Sequence, residues 1–439
     1  MITASRMPAA VAAGLSLMLA YSASAAGDQP VTRPISLDEA AGLLVQSGQI
    51  EDAKRVLKVQ LDRDPSDNQA LFLSGLIAVA EKRYDDAVAV FRLVLVSEPN
   101  ADRVRLELAR AFFLSGDYTN AERQFRFARA GELPDAVKTN IDHYLGAIAA
   151  LKRWQYRFSL AVAPDTNVNG GTSVHQVTIY GLPFELSSDA RGTSGVGLTL
   201  DTGGEWSPFV SDSLKARVGG DLHRSEYSGG QFDDMTVSAF AGPEWLSPGW
   251  DVSLLSTWLR RWYGNSDYSE AFGGMVSAEH PLTDRLYLHT SFSARLVDYA
   301  TQPAMNGPVY GLDTALAYIF SPSSMVQLAG GVARTEADAQ AYSNRTMWIS
   351  ASYQQDLPWG FTVSATPSVV WSRYDREMAG FGTRRNDTGL SFRIGVLNRR
   401  LSYRGFTPQI SFVHVTQQSN IALYRYGRNQ IEIGVTQYF

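Results

Sequence analysis

No cysteine occurs anywhere in the 439 residues. Disulfides are excluded, so stability must come from packing and backbone pairing, and so is a lipid carried on a cysteine thioether. A charge excess of either sign is also lacking. Lys and Arg number 39 against 44 Asp and Glu, a formal net charge of -5. With no basic stripe to displace counterions, a nucleic-acid partner is excluded. Past the N-terminal stretch no run approaches the roughly 20 apolar residues of a helical membrane span. Any residence in a membrane must then be by closed strands.

Catalytic and metal-binding patterns are equally scarce. The histidines, His143, His175, His223, His280, His289 and His414, are scattered. No G-x-S-x-G elbow, H-E-x-x-H helix or P-loop is present. His223 with Ser225 and Glu226 is the one arrangement that suggests a nucleophile, and its plainer reading is three polar residues at a strand rim. Asp165, Asn167 and Asn169 start like a calcium loop but lack its glycine and distal glutamate. The expectation is no enzyme, no cofactor and no metal.

What is present begins with a leader. Arg6 precedes an apolar run at residues 7–20 and then Ala23-Ser24-Ala25, the order of a secretory signal with an A-x-A cleavage site. A signal peptide is expected at 1–26, with the mature chain starting at Ala26 or Gly27.

From 36 to 154 the apolar spacing is helical and repeats itself. Ala53, Ala87 and Ala121 are equally spaced, as are Leu57, Phe91 and Phe125, Ile50, Tyr84 and Tyr118, and the pair Pro65 and Pro99. The offset is the roughly 34 residues of a tetratricopeptide repeat. Small Ala lets the two helices of a repeat approach, the larger residue one turn on fills the gap between repeats, and Pro closes the second helix. Three units are visible, with residues 135–151 as a capping helix. The concave face of such a solenoid is lined by first helices. By register its candidates are Gln69, Phe72, Leu76, Arg103, Leu106, Arg110 and Phe113, read as a protein-binding groove. The alternative is that Leu76, Leu106 and Phe113 simply belong to the core.

After Trp154 the period changes from 3.6 to 2, Gly becomes frequent, and aromatics gather at segment ends. About fourteen strand-like runs of bilayer-crossing length follow. They begin near Gln155, Thr193, Ser213, Phe232, Trp250, Tyr268, Arg285, Val309, Ser324, Arg345, Phe361, Arg384, Phe406 and Arg428. In one run Leu214, Ala216, Val218, Gly220 and Leu222 are expected to face lipid while Lys215, Arg217, Gly219, Asp221 and His223 face the lumen. In another Phe361, Val363, Ala365, Pro367, Val369 and Trp371 oppose Thr362, Ser364, Thr366 and Ser368.

Turns are expected to be short after even-numbered strands, as at Ser207-Pro208, Ser247-Pro248-Gly249, Thr283-Asp284, Ser321-Pro322 and Pro358-Trp359-Gly360. They are expected to be long after odd-numbered ones, notably at 165–192, 301–308 and 375–383. Short turns belong in the periplasm and long loops outside, which places both ends of the barrel in the periplasm.

The last run sets Ile431, Ile433, Val435 and Phe439 against Glu432, Gly434 and Thr436. With Gly434 and the terminal Phe439 it resembles the signal read by the barrel assembly machinery, although Gln437 stands where a hydrophobic residue is usual. The reading is thus of an α + β two-domain chain. Its N-terminal all-α tetratricopeptide solenoid at 27–154, in the periplasm, precedes a C-terminal transmembrane antiparallel β-barrel of about 14 strands at 155–439, in outer-membrane lipid.

A periplasmic tetratricopeptide domain fused to such a barrel resembles the surface lipoprotein assembly modulator family. The junction Ala163-Pro164-Asp165-Thr166-Asn167-Val168-Asn169 is similar to the Pro-Asp-Ser/Thr-Asn-Ile/Val-Asn motif that follows that family's first barrel strand. The resemblance covers the whole mature chain, which has fewer repeats than better-known members. It implies a translocator for an exported protein cargo, either a surface lipoprotein or a secreted relative of the haem-binding type. For Asp165, Asn167 and Asn169 two roles stay open: folding the loop, since Asn tolerates left-handed backbone and bonds neighbouring amides, or touching cargo. A porin-like channel, and a surface receptor with a periplasmic docking domain, remain as other readings of the architecture.

Overall fold

A computed structural model describes residues 36–247, 249–403 and 405–437. The expected leader at 1–26, Pro248 of one turn and the terminal Phe439 lie outside the described residues. The chain forms two compact units, one up to Val90 and one from Phe91.

The first unit holds α1 (Leu37–Gln46), α2 (Ile50–Arg63), α3 (Asn68–Ala80) and the first half of α4 (Tyr84–Ser97). α1 and α3 start on side-chain caps, while Gln49 before α2 makes no capping bond. Ser36 accepts the Glu39 N–H, and Asp67 accepts from Gln69 and Ala70 at 2.9 and 3.0 Å. Those bonds, led by the one from Ala70, hold the Asp67 carboxyl below its usual range. Ala41, Ala53, Leu57, Ala70, Leu73 and Ile77 form the core.

The second unit takes the rest of α4, then α5 (Asp102–Ser115), α6 (Tyr118–Arg129) and α7 (Asp135–Leu151). Helices α2, α4 and α6 begin on the equally spaced Ile50, Tyr84 and Tyr118. Ala53, Ala87 and Ala121 are each fully buried, as the need for close helix approach requires.

Only Lys152 and Arg153 separate α7 from β1 (Trp154–Asp165). The remaining wall strands are β4 (Gly195–Trp206), β6 (Leu214–Tyr227), β7 (Asp234–Ser247), β8 (Trp250–Tyr263), β9 (Ser266–Pro281), β10 (Leu286–Tyr299), β11 (Gly307–Ser321), β12 (Ser324–Thr335), β13 (Asn344–Asp356), β14 (Phe361–Met378), β15 (Thr383–Asn398), β16 (Thr407–Ser419) and β17 (Tyr426–Thr436). Neighbours pair antiparallel in sequence order, β4 pairs β6, and β17 returns to β1, closing a 14-strand barrel. Closure removes every sheet edge, the condition for spanning lipid with strands.

Two elements had no sequence signal. A hairpin of β2 (Gln176–Ile179) and β3 (Leu182–Glu185) folds within the first long loop, and β5 (Phe209–Ser211) extends the first short turn.

The outward face is apolar, with Val162, Val196, Leu198, Val218, Phe272, Leu312 and Ile349 among its exposed residues. Trp154, Trp206, Trp245, Trp250 and Trp359 stand exposed at strand ends, as interfacial aromatics do. The loop alternation holds with exceptions. β8 and β9 are joined on the long-loop side by Gly264 and Asn265 alone. Both have positive φ, 56° and 60°, the geometry of a tight hairpin turn. The connection after β15 runs from 399 to 406, and β14 continues to Met378 through an irregularity between Arg373 and Glu377.

Of the six prolines within the wall strands, Pro164, Pro243 and Pro367 each sit at a gap in one ladder. Pro164 leaves β1–β17 unregistered between Val162 and Asp165. Pro243 does the same for β7–β8, and Pro367 for β13–β14. Each keeps its pairing on the opposite side, to Val196, Ala216 and Phe392 respectively. The cause is the missing N–H, which removes one donor toward one neighbour only.

Candidate functional site

The expected groove residues divide by exposure. On α3, Gln69 is exposed, Leu76 half-buried and Phe72 buried. On α5, Arg103 is exposed and Arg110 half-buried, 3.0 Å from Glu107, while Leu106 and Phe113 are buried. Phe113 packs edge-on against Tyr118 and Tyr144. Phe72, Leu106 and Phe113 therefore fill the helical layers, and Gln69, Leu76, Arg103 and Arg110 are what α3 and α5 present outward.

Within the second unit the later helices are fastened to the short-turn end of the barrel. Arg129 and Lys138 both reach Asp284, at 2.5 and 3.1 Å, in the turn between β9 and β10. Burial pushes the Asp284 carboxyl up, but the Lys138 hydrogen bond and the Arg129 charge outweigh it and hold the group below its usual range. Beside this pair, Phe127 of α6 and Ala130, its C-cap, pack with Ile319, Tyr287 and Met325 at strand ends. The Ser323 hydroxyl bonds Asn100 at 2.7 Å. Arg105 of α5 is buried, donating to Gln124 and to the Pro99 carbonyl, both at 2.7 Å. Burial lowers its pKa to about 10, so it stays charged at neutral pH. The contacts to Asp284, Ile319 and Ser323 carry no sequence signature, because each joins positions far apart in the chain.

A cavity of about 720 Å³ lies between α6–α7 and the lumen, lined by both signs of charge, among them Glu122, Arg126, Lys152, Lys215 and Glu244. Burial raises Glu122, and the charges of Arg126 and Lys152 outweigh it and bring its carboxyl below the usual range. Deeper in, Arg217 clamps both oxygens of Glu205 at 2.7 and 2.8 Å, and Arg393 meets Glu432 at 2.7 Å. The lumen is polar and cross-linked by ion pairs.

The junction motif lies at the other end of β1, against β17. Asp165 is buried, and its Oδ1 accepts the Asn167 N–H at 2.8 Å. Its other oxygen takes Arg428 of β17. Asn167 donates to the carbonyls of Gly171 and Gly427 at 2.9 and 3.0 Å and accepts the Gly171 N–H. Asn169 donates to the Asp189 and Arg191 carbonyls, both at 2.8 Å, and accepts the Thr193 N–H at 3.0 Å. The two asparagines thus replace ladder partners for backbone that has left the sheet, folding the 166–193 loop and tying it to the last strand. Arg428 read in the sequence only as a strand start, so its part was missed.

Gly434 faces Ala161 across the same seam, where a Cβ would overlap the Leu160 carbonyl. The His223 group is rearranged relative to expectation. His223 bonds Ser225 at 3.2 Å and Asp201 of β4 at 2.6 Å, while Glu226 pairs with Arg224 instead. Asp201 could not be found from sequence because only the cross-strand register brings it opposite His223. Ser225 lies in a strand paired on both sides, with Thr199 and Asp234, where main-chain N–H groups serve the ladder rather than an oxyanion.

Comparison with known proteins decides the family. Residues 154–439 match the Surface lipoprotein assembly modifier family, and residues 39–102 match the Tetratricopeptide repeat. The chain belongs to the surface lipoprotein assembly modifier family. It is an outer-membrane protein with its helical part in the periplasm, where short turns lie.

Among similar proteins, Surface lipoprotein assembly modifier 1 of Neisseria meningitidis serogroup B is 24% identical over 417 residues, covering 92% of this chain and 83% of that protein. Surface lipoprotein assembly modifier of Moraxella catarrhalis is 22% identical over 388 residues, covering 85% and 75%. A solved Pseudomonas aeruginosa FadL homologue covers 67% of this chain and 93% of its own at 9% identity and a TM-score of 0.38. The type III secretion translocator chaperone SycD of Yersinia enterocolitica covers 26% of this chain and 81% of its own at 24% identity, with a TM-score of 0.25. Membership of the surface lipoprotein assembly modifier family, with a barrel for a body, points to assembly or transport rather than catalysis.

Proposed function

We propose that this chain is an outer-membrane translocator that captures a specific protein cargo in the periplasm and promotes its passage to the cell surface, the cargo being a surface lipoprotein or a related secreted protein. The observation that carries the reading is the coupling of a lipoprotein-assembly barrel to periplasmic repeat helices through Asp284, Arg129 and Lys138. A helical face fixed at the inner mouth holds a bound segment beside the wall it must cross, so the second encounter is intramolecular and its effective concentration high. Arg103 and Arg110 on α5 fit an acidic or extended segment. No covalent step or nucleotide is implied, since folding of cargo outside can draw the process forward.

The test is a gene deletion. An epitope-tagged lipoprotein encoded beside this gene is expressed with and without the chain, and its exposure is scored by protease treatment of intact cells. Exposure should fall at least tenfold on deletion and return with the full chain; unchanged exposure would sink the proposal.

A further inference from the structure

A polar lumen poses a problem for cargo that carries acyl chains. The wall presents Arg217 with Glu205, Arg393 with Glu432, and the buried hydroxyls of Ser253 and Ser277, 2.7 Å apart. Hydrocarbon tails taken through such a channel would leave lipid for a polar path, at a cost that grows with every methylene. A lipid-anchored protein needs a route on which the tails stay in the bilayer. That requires two neighbouring strands to part.

The seams are not equal. β1 runs unbroken against β4 from Trp154 to Asp165, and β8–β9, β11–β12 and β14–β15 each carry one local irregularity near a strand end within a long ladder. β7–β8 and β13–β14 each break at a proline but resume for several residues on both sides. β1–β17 is interrupted close to its outer end, with one registered pair beyond the break. Its register among the described residues covers Ser159 to Val162 and then Asp165 alone. Single bonds from Gln437 to Phe158 and from Thr166 to Asn429 extend it at the two ends. Pro164 has no N–H to offer β17, so that position has one ladder donor fewer to separate.

We propose that the β1–β17 seam is the lateral exit of the barrel, and that the parted edges of β1 and β17 are the docking surface for an extended segment of a lipid-anchored cargo. This rests on the function proposed above. Parted edges in lipid expose N–H and C=O groups that must find partners. An extended chain supplies them by strand addition, its apolar side chains facing the bilayer like Val162 and Ile433 and its polar ones the lumen. At the outer end the seam is held by side chains as well as main chain, through Asp165 to Arg428 and Asn167 to the Gly427 carbonyl beside the Thr166 to Asn429 bond. Side-chain contacts can release and reform without refolding a strand, so the junction motif is a latch on this seam.

Because the chain has no cysteine, Ser159→Cys with Thr436→Cys places one thiol pair across the opposed positions of the seam. Ser350→Cys with Ser368→Cys does the same across β13–β14. With the tagged lipoprotein as probe, oxidising the first pair should lower surface exposure at least tenfold, reduction should restore it, and oxidising the second pair should leave it unchanged. Full export through the oxidised seam, or an equal block from both pairs, overturns the inference. Export that depends on the chain yet ignores the seam disulfide leaves the proposed function standing; export that needs no chain at all removes both. If the first pair does not assemble into a heat-modifiable barrel, Val162→Cys with Ile433→Cys repeats the test on the lipid face. A measurement free of cargo is amide exchange of the full chain in lipid nanodiscs. β1 and β17 should exchange about tenfold faster than β9 to β11, and equal rates count against the exit.

Discussion

Arg428 on the last strand holds Asp165 on the first, its Nε 2.7 Å and its Nη2 2.6 Å from one carboxylate oxygen. The Asp165 side chain is fully buried while that of Arg428 is 31% exposed, so the arginine is the replaceable partner. Arg428→Ala strands a buried carboxylate and should cost about 3 kcal/mol of barrel stability. Pairing it with Asp165→Asn should recover a good part of the loss. The measurement is the urea midpoint of the heat-modifiable band; a single variant as stable as wild type would show that the pair holds nothing.

Gly434→Ala tests close approach at the same seam. A Cβ there would overlap the Leu160 carbonyl and crowd Ala161, pushing β17 away from β1. Less folded barrel should accumulate in the outer membrane, by several-fold on immunoblots of membrane fractions. Gly427→Ala, where the nearest atom is the Val415 carbonyl at 4.0 Å, should accumulate normally.

Asn169→Ala removes two donated bonds and two accepted ones that gather residues 189–193 and Gly171. The barrel should assemble, since no wall pairing is lost. The loop at 166–193 should become a site of cleavage when intact cells meet protease. A loop as resistant as in the unaltered chain would move the fold's anchor elsewhere.

The Asp284 contacts should depend on salt and on acid. Its carboxyl is held below the usual range, so the contribution is complete above the ordinary carboxylate pKa and is lost as pH falls through the lowered value. Neutral pH lies on the plateau. With 43% of the side chain exposed the pair is screened, and the effect is modest. Asp284→Lys should speed amide exchange in α6 and α7 at pH 7, and high salt should shrink the difference from wild type.

Arg103 is exposed and can be reversed, whereas Arg110 pairs with the buried Glu107 at 3.0 Å and is best neutralised together with it. Arg103→Glu combined with Glu107→Gln and Arg110→Gln should reduce cargo exposure several-fold while the barrel reaches the membrane in normal amount. An unaffected cargo would remove α5 from the capture surface.

The wall of the barrel was legible because each strand carries its own signal. Alternation places Val218, Phe361 and Ile433 outward, and all three are exposed. Every expected strand start falls within a few residues of the one found, from Gln155 against Trp154 to Arg428 against Tyr426. The helical repeat was legible for a similar reason, since Ala53, Ala87 and Ala121 recur where helices must touch. The hairpin of β2 and β3 was not, because four-residue strands in a loop bury too little to leave a pattern. The Gly264–Asn265 turn was hidden by an expectation of long outer loops. At the sites, Asp165 and its asparagines were visible as a motif, but Arg428, Asp201 and Asp284 became partners only through register and docking. Phe72, Leu106 and Phe113 show the limit of reading a face from spacing, as helical register cannot separate a groove from the layer beneath it.

The joint between α7 and β1 is two residues long, Lys152 tied to Glu122 at 2.9 Å and Arg153 accepting the Ser207 N–H at 2.7 Å. A connector that short and that braced has no slack. Two residues held by an ion pair and a main-chain bond leave α7 and β1 few torsions in which to turn independently, and β1 is the strand whose other flank breaks at Pro164.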